Sequence, residues 1–285
     1  MNRRQVRMRF VVLLLVLAPL PLRWVLPLRA SASQKTTPVT WVTVRDDTFN
    51  TAGLPAGWHL RDGRGKPGYY LPSHVTVPGD GYMHILFSYD PSVSGWAMGA
   101  ATLPSTDIGG GQNFQITTRF RVIPCSGSCG SGNTRVATHR NMPLLYPDTP
   151  TGCSIPDNGE MDVNEEDGQP PTAARLQSYF HYCSSTGTNV SVANYDYSTV
   201  DLTQFHVFRY VKVGLTYQVF IDNMTTPVWT YVGNATTMPT VARHLGFQMN
   251  CLDNHYNGSF HKSCPSGTSG QEEWLIDYVQ VDVPQ

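Results

Sequence analysis

Gly159-Glu-Met-Asp-Val-Asn-Glu-Glu-Asp-Gly168 is the stretch from which the rest of the sequence can be read. The chain has five glutamates, and three of them, Glu160, Glu165 and Glu166, fall within these ten residues together with Asp162 and Asp167. Met161 and Val163 alternate with polar neighbours, the period of a β-strand. Side chains on a strand change face at each residue, so a regular strand puts Glu160 and Asp162 on one face and Glu165 on the other. One β-bulge after Asp162 sets two residues of this strand against one of its neighbour and brings Glu165 round to the face of Glu160 and Asp162.

Five extended steps cover roughly 16 Å, and a bulge shortens this to about 13 Å. Two glutamates leaning over the shorter Asp162 then approach the ~5 to 5.5 Å carboxyl separation that double-displacement sugar chemistry uses. Glu166 has the right parity without a bulge, but it lies about 20 Å along the strand from Glu160, too far to share a sugar ring.

Glu160-Met-Asp-Val-Asn-Glu165 resembles the Glu-x-Asp-x-x-Glu signature of glycoside hydrolase family 16, in the bulged form of its laminarinase-like members. The resemblance implies an all-β fold, a concanavalin A-like jelly-roll sandwich of two antiparallel sheets with the catalytic strand on the concave face. It also implies a retaining endo-β-glycosidase that cuts a polysaccharide, a β-1,3- or β-1,3/1,4-glucan, with Glu160 as nucleophile and Glu165 as acid/base. Asp162 between them would keep Glu160 ionised and Glu165 protonated. No cofactor and no metal is implied. A non-catalytic lectin-like module and a transglycosylase using the same residues are the alternatives.

Further residues resemble the family by order and spacing. His181, in His181-Tyr182 on the strand after the catalytic one, resembles a cleft-facing histidine. Tyr146, in Met142-Pro-Leu-Leu-Tyr-Pro147, stands where family members carry a tryptophan, and Gln248 and Asn250, in His244-Leu-Gly-Phe-Gln-Met-Asn250, lie on a late inward-facing strand. These four are the expected sugar contacts. Trp58, Trp96 and Trp229 are better explained by core packing, since aromatics dominate cores.

Composition agrees with β structure: Gly 25, Pro 21 and Tyr 14 in 285 residues, 40 % hydrophobic, with few glutamates from which to build exposed helices. Phe114 to Val122 alternates strictly, and Met83 to Ser88, Leu176 to Tyr182, Phe205 to Tyr210, Tyr217 to Ile221 and Glu273 to Val281 read as further strands. Trp96 to Thr102 reads as one more. Gly109-Gly-Gly111 lacks the Gly-Lys-Ser/Thr continuation of a phosphate loop and reads as a turn. The formal net charge of −1 gives no basis for a nucleic-acid partner or an anionic membrane surface. No Gly-x-Ser-x-Gly elbow is present.

Residues 1–32 read as an export signal. Arg3, Arg4, Arg7 and Arg9 precede an apolar run from Val11 to Leu22, and Ala30-Ser-Ala32 gives an Ala-x-Ala cleavage site. That run is about 12 residues against the ~20 needed to span a bilayer, so no membrane insertion is expected once the signal is removed. Residues 33–45 form an N-terminal lead and 46–285 the catalytic domain. The expected protein is secreted and monomeric, and its only partner is its polysaccharide substrate. Six cysteines in an oxidising compartment make three disulfides the default, with Cys125–Cys129, Cys153–Cys183 and Cys251–Cys264 the sequence-near choice. Four Asn-x-Ser/Thr sequons begin at Asn189, Asn223, Asn234 and Asn257.

Overall fold

The alternation of Phe114 to Val122 carries straight into the structure: even-numbered positions are buried and odd-numbered ones half-buried. In the computed structural model, residues 39–64, 68–111, 113–126, 139–148, 159–167, 171–183, 189–234, 237–238, 242–250, 253–256, 259–261 and 269–285 are described. In chain order the strands are β1 (Trp41–Asp47), β2 (His59–Leu60), β3 (Gly63–Arg64), β4 (Tyr69–Tyr70), β5 (Val75–Thr76), β6 (Met83–Asp90) and β7 (Gly95–Met98). There follow β8 (Ala100–Leu103), β9 (Phe114–Ser126), β10 (His139–Pro147), β11 (Met161–Asp167), β12 (Ala174–Cys183), β13 (Asn189–Val200) and β14 (His206–Val213). The last are β15 (Thr216–Ile221), β16 (Trp229–Val232), β17 (Arg243–Asn250), β18 (Asp253–Tyr256), β19 (Ser259–His261) and β20 (Gln271–Pro284). Among the described residues the helical segments are three short 3₁₀ turns, and Gly109-Gly-Gly111 ends one of them.

Two large sheets result, matching the jelly-roll expectation. An 11-stranded sheet runs β16-β15-β14-β9-β20-β6-β7-β4-β3, with β1 added beside β20 and β5 beside β6. A 7-stranded sheet runs β13-β12-β11-β10-β17-β8-β2, every pairing antiparallel. Trp41–Arg45, which falls within the 33–45 lead but alternates in sequence as a strand does, pairs with the end of β20 in the first sheet.

The core lies between the sheets. From the 7-stranded sheet it takes Ala101, Leu103, Leu145, Met161, Val163, Phe180, Leu245, Phe247 and Met249; from the other, Ile85, Phe87, Phe120, Phe208, Trp274 and Ile276. Phe247 meets Trp274 edge-on at 5.9 Å. Polar links cross as well: Tyr217 Oη donates to the Val163 carbonyl at 2.7 Å, and Tyr210 Oη to the Met142 carbonyl at 3.2 Å. Arg140 of β10 and Glu272 of β20, both fully buried, form an ion pair of 2.6 Å. Trp58 and Trp96 are core residues, and Trp229 packs against the core, which agrees with the packing reading of all three.

The stretch Trp96–Thr102, expected to be one strand, is two strands in different sheets. Gly99 is the switch. Its N–H donates to the Leu86 carbonyl at 2.9 Å in one sheet, and its carbonyl accepts from the Met249 N–H at 3.3 Å in the other. A Cβ at this position would lie 2.4 Å from the His74 carbonyl oxygen, so only glycine fits between the layers. β13 was not read as a strand, although Val190 and Val192 alternate at its start.

Candidate active site

Register places the acidic stretch. β11 pairs with β12 through Asp162↔Tyr179 and Glu165↔Gln177, three residues against two, so β11 carries one extra residue between Asp162 and Glu165. β10 carries an extra residue at the same level, since Asn141↔Gln248 and Leu144↔Gly246 set three of its residues against two of β17. Between β10 and β11 the two insertions cancel, and Leu144↔Asp162 and Asn141↔Glu165 stay in step. The irregularity is thus a feature of two adjacent central strands, bent together.

Opposed residues of an antiparallel pair share a face, so the pairing tells which side chains lie together. Gln177 and Tyr179 share a face by parity, and Tyr179 Oη donates a hydrogen bond to Gln177 Oε1. Asp162 and Glu165, opposite them, therefore stand on that same face, away from core-facing Met161 and Val163. Glu160 is level with His181: the His181 N–H donates to the Glu160 carbonyl, while the His181 carbonyl accepts from the N–H of the preceding Gly159, each at 2.9 Å. Glu166 pairs with Arg140 and Leu176, the core-side register.

Burial grades the three carboxylates. Glu160 is half-buried, while Asp162 and Glu165 retain only 4 % and 8 % exposure. Asp162 Oδ2 lies 3.1 Å from His181 Nε2, a contact that ties the middle carboxylate to the neighbouring strand. The arrangement can present one carboxylate as nucleophile and another as proton donor on one side of the sheet, with the third held laterally.

The remaining site residues fall on three rows across this face. The first holds Glu160 and His181 with Tyr146, which is opposite His244; the Tyr146 and His244 rings are 5.7 Å apart, and His244 Nδ1 meets Asp148 Oδ1 at 3.1 Å. The second is His59–Thr102–Gly246–Leu144–Asp162–Tyr179. On the third, Gln248 is level with Glu165 through the backbone of Asn141. Asn250 is opposite His139 on the same parity as Gln248, and its side chain lies outside what the structure describes. Sequence reasoning missed Gln177 and Tyr179, although their i, i+2 spacing with His181 on one strand was the available signal.

Tyr70, a buried residue of β4, is also coupled to this face. Its hydroxyl meets Gln248 Oε1 at 3.4 Å, and Arg61 sits over its ring at 4.3 Å. Burial pushes the Tyr70 hydroxyl up to about 12, against the opposing pull of Arg61, so it stays a donor.

Cys125, at the end of β9, is disulfide-bonded. The pairings expected from sequence rest on Cys129, Cys153, Cys251 and Cys264, outside the described residues, and on Cys183, whose side chain is likewise not described. Among the described residues no group of three His, Cys, Asp or Glu is placed to hold a metal ion, and no helix is long and apolar enough to cross a membrane.

No protein-family model matches the chain, and no curated protein does. Solved structures do. The chain superimposes on the laminarinase of Rhodothermus marinus with a TM-score of 0.60 at 17% identity, over 87% of this chain and 99% of that one. The laminarinase of Flavobacterium sp. UMI-01 gives 0.58 at 16% identity over 86% and 100%, and the endo-1,3-β-glucanase of Streptomyces sioyaensis 0.58 at 17% over 88% and 99%. At these identities the likeness establishes a shared fold, the jelly roll of these glucanases.

Proposed function

We propose that this protein is a secreted, monomeric, retaining endo-β-glycosidase of the glycoside hydrolase family 16 type, acting on a β-1,3- or β-1,3/1,4-glucan. The observation that carries the reading is the extra residue between Asp162 and Glu165, which sets Glu160, Asp162 and Glu165 on one face of the 7-stranded sheet. A structural neighbour described as a non-specific endo-β-1,3(4)-glucanase, and others described as laminarinases, make such glucans the first substrates to test.

In the proposed reaction the Glu160 carboxylate attacks the anomeric carbon while the Glu165 carboxylic acid gives its proton to the departing glycosidic oxygen. The bond to the leaving sugar breaks and a glycosyl ester on Glu160 forms. Glu165, now ionised, takes a proton from water as the water oxygen attacks the same carbon. Glu160 leaves as carboxylate, and the configuration is retained after two inversions. Asp162 acts through Glu160, and His181 holds Asp162.

The test separates the two glutamates. Glu160→Ala should abolish turnover and, with azide and an activated aryl glycoside, give the inverted glycosyl azide, because azide fills the vacated side of the ring. Glu165→Ala should fail on polysaccharide but cut aryl glycosides whose leaving group needs little protonation, with azide giving the retained product. Exchanged behaviour reverses the roles. Unchanged activity in both variants removes this face from the chemistry.

A further inference from the structure

Arg61 continues the β2 ladder, its N–H donating to the Ala100 carbonyl at 3.0 Å. The register His59↔Thr102, Leu60↔Ala101 therefore carries on to Arg61↔Ala100, and Ala100 is opposite Gln248. One row across the sheet thus reads Arg61, Ala100, Gln248, Asn141, Glu165, Gln177, all on the face that bears the carboxylates. Ala100 is the enabling residue. With only a methyl group between them, side chains two strands apart meet, and Arg61 Nη1 reaches Gln248 Oε1 at 3.5 Å.

Three contacts shape this end of the cleft. The guanidinium lies 4.3 Å from the centre of the Tyr70 ring. Gln248 Oε1 accepts from both Arg61 and the Tyr70 hydroxyl, so the amide oxygen is turned toward these two donors and the NH2 remains to donate elsewhere. Arg61 itself is exposed. Among the described residues it has no carboxylate partner. A guanidinium fork and a carboxamide NH2, side by side, offer only donors, and one of them is charged. Such a set matches a carboxylate or sulfate oxygen pair, which only accepts and carries charge, better than a neutral sugar hydroxyl, which also donates.

Distance keeps this charge separate from the chemistry. Four strand spacings, about 19 Å, separate β2 from β11. This exceeds the screening length of ~8 Å at physiological salt, so Glu160, Asp162 and Glu165 neither neutralise Arg61 nor repel an anion bound to it. A polysaccharide lying across the strands would have its reacting bond over β11 and a sugar several units away over β2.

We propose that the β2 end of the cleft is a subsite for an anionic sugar substituent, held by Arg61 and by the NH2 of Gln248, so that the preferred polysaccharide carries acidic residues. This rests on reading the face as a polysaccharide cleft, and it names the substrate class more closely. The carboxylate of a uronic acid and a sulfate ester present the same chemistry, and the experiment distinguishes them.

The experiment compares neutral β-1,3-glucan with the same glucan oxidised at C6 to carboxylate and with the same glucan sulfated, using the full chain and the Arg61→Gln and Arg61→Lys variants. Wild type should favour one charged form over the neutral one in kcat/KM by up to about fivefold, the ratio expected of one partly exposed ion pair. Whichever form is favoured identifies the anion. In Arg61→Gln the ratio should fall to about one, and in Arg61→Lys, which keeps the charge without the fork, it should stay intermediate; raising the salt should shrink it in wild type. If no glucan is cut, the proposed reaction fails by itself, and the subsite is read by affinity electrophoresis of Glu160→Gln in gels containing each glucan. Equal behaviour toward neutral and charged glucans in both measurements, or a preference that Arg61→Gln leaves intact, overturns the subsite.

Discussion

Replacing Glu272 by alanine leaves the Arg140 guanidinium in the core without the carboxylate 2.6 Å from its Nε. Both side chains have no exposure, so neither can turn to water without the sheets parting. Removing one member of a buried pair costs about 3 to 5 kcal/mol, because the remaining charge has lost a partner that water cannot replace. For a folded unit of this length each kcal/mol moves the melting point by about 2 to 4 °C, so Glu272→Ala should melt about 6 to 20 °C lower. Arg140→Met should fall in the same range. The double variant Arg140→Met/Glu272→Leu places apolar groups of similar size on both sides and should recover to within about 1 kcal/mol of wild type or exceed it. Urea unfolding of these four proteins together with the single variant Glu272→Leu closes the cycle for the Met/Leu pair. A Glu272→Ala loss below about 1 kcal/mol, or a double variant as unstable as the sum of the singles, would refute the reasoning that the two buried charges are coupled across the core. The pair also lies on the underside of the site strand: Arg140 precedes Asn141, the backbone partner of Glu165.

Other expectations are simpler to check. Asp162→Asn should lower kcat roughly tenfold to a hundredfold without abolishing it, and His181→Ala should do so by less, since Asp162 acts on Glu160 at one remove and His181 only through Asp162; a complete loss in Asp162→Asn would make Asp162 a direct participant. Lys212, 2 % exposed, has its pKa lowered to about 8 by burial first and by the charge of Arg243 second. The unfolded chain thus holds the extra proton between about pH 8 and the ordinary 10.5, so Lys212 makes stability rise with pH across that window and depresses it below. Lys212→Met should flatten that rise and stabilise the protein at pH 7; an unchanged stability profile from pH 7 to 10 would count against the buried charge. Export predicts a mature N-terminus near Ser33 and no free thiol, read by N-terminal sequencing and thiol titration, and a retained leader would remove the compartment argument.

What could be read in advance divides along the physics of periodicity. β9 and β11 were legible because each buries one face, so the sequence alternates with period two. The bulge was legible through chemistry: three carboxylates needed one face, and parity allowed it in one way. The companion insertion in β10 was not, because it lies within Met142–Leu144, where apolar residues run together and no alternation shows a slip. Arg61 escaped for a different reason. It joins the site through register across β8 and β17, strands nearly 40 and 190 residues away, and no local pattern encodes such pairing. The break at Gly99 was hidden in the same way, since Trp96–Thr102 looks uniform until the two halves find different partners.

That break constrains how the molecule can open. Because the Gly99 peptide groups are hydrogen-bonded once to each sheet, the layers share a single stretch of covalent backbone there. Neither sheet can loosen there as an independent cooperative unit, since releasing Leu86 from one side withdraws the same residue from Met249 on the other. The amide of Gly99 should therefore exchange with solvent as slowly as the best-protected core strands, and the two halves of the sandwich should unfold in one step.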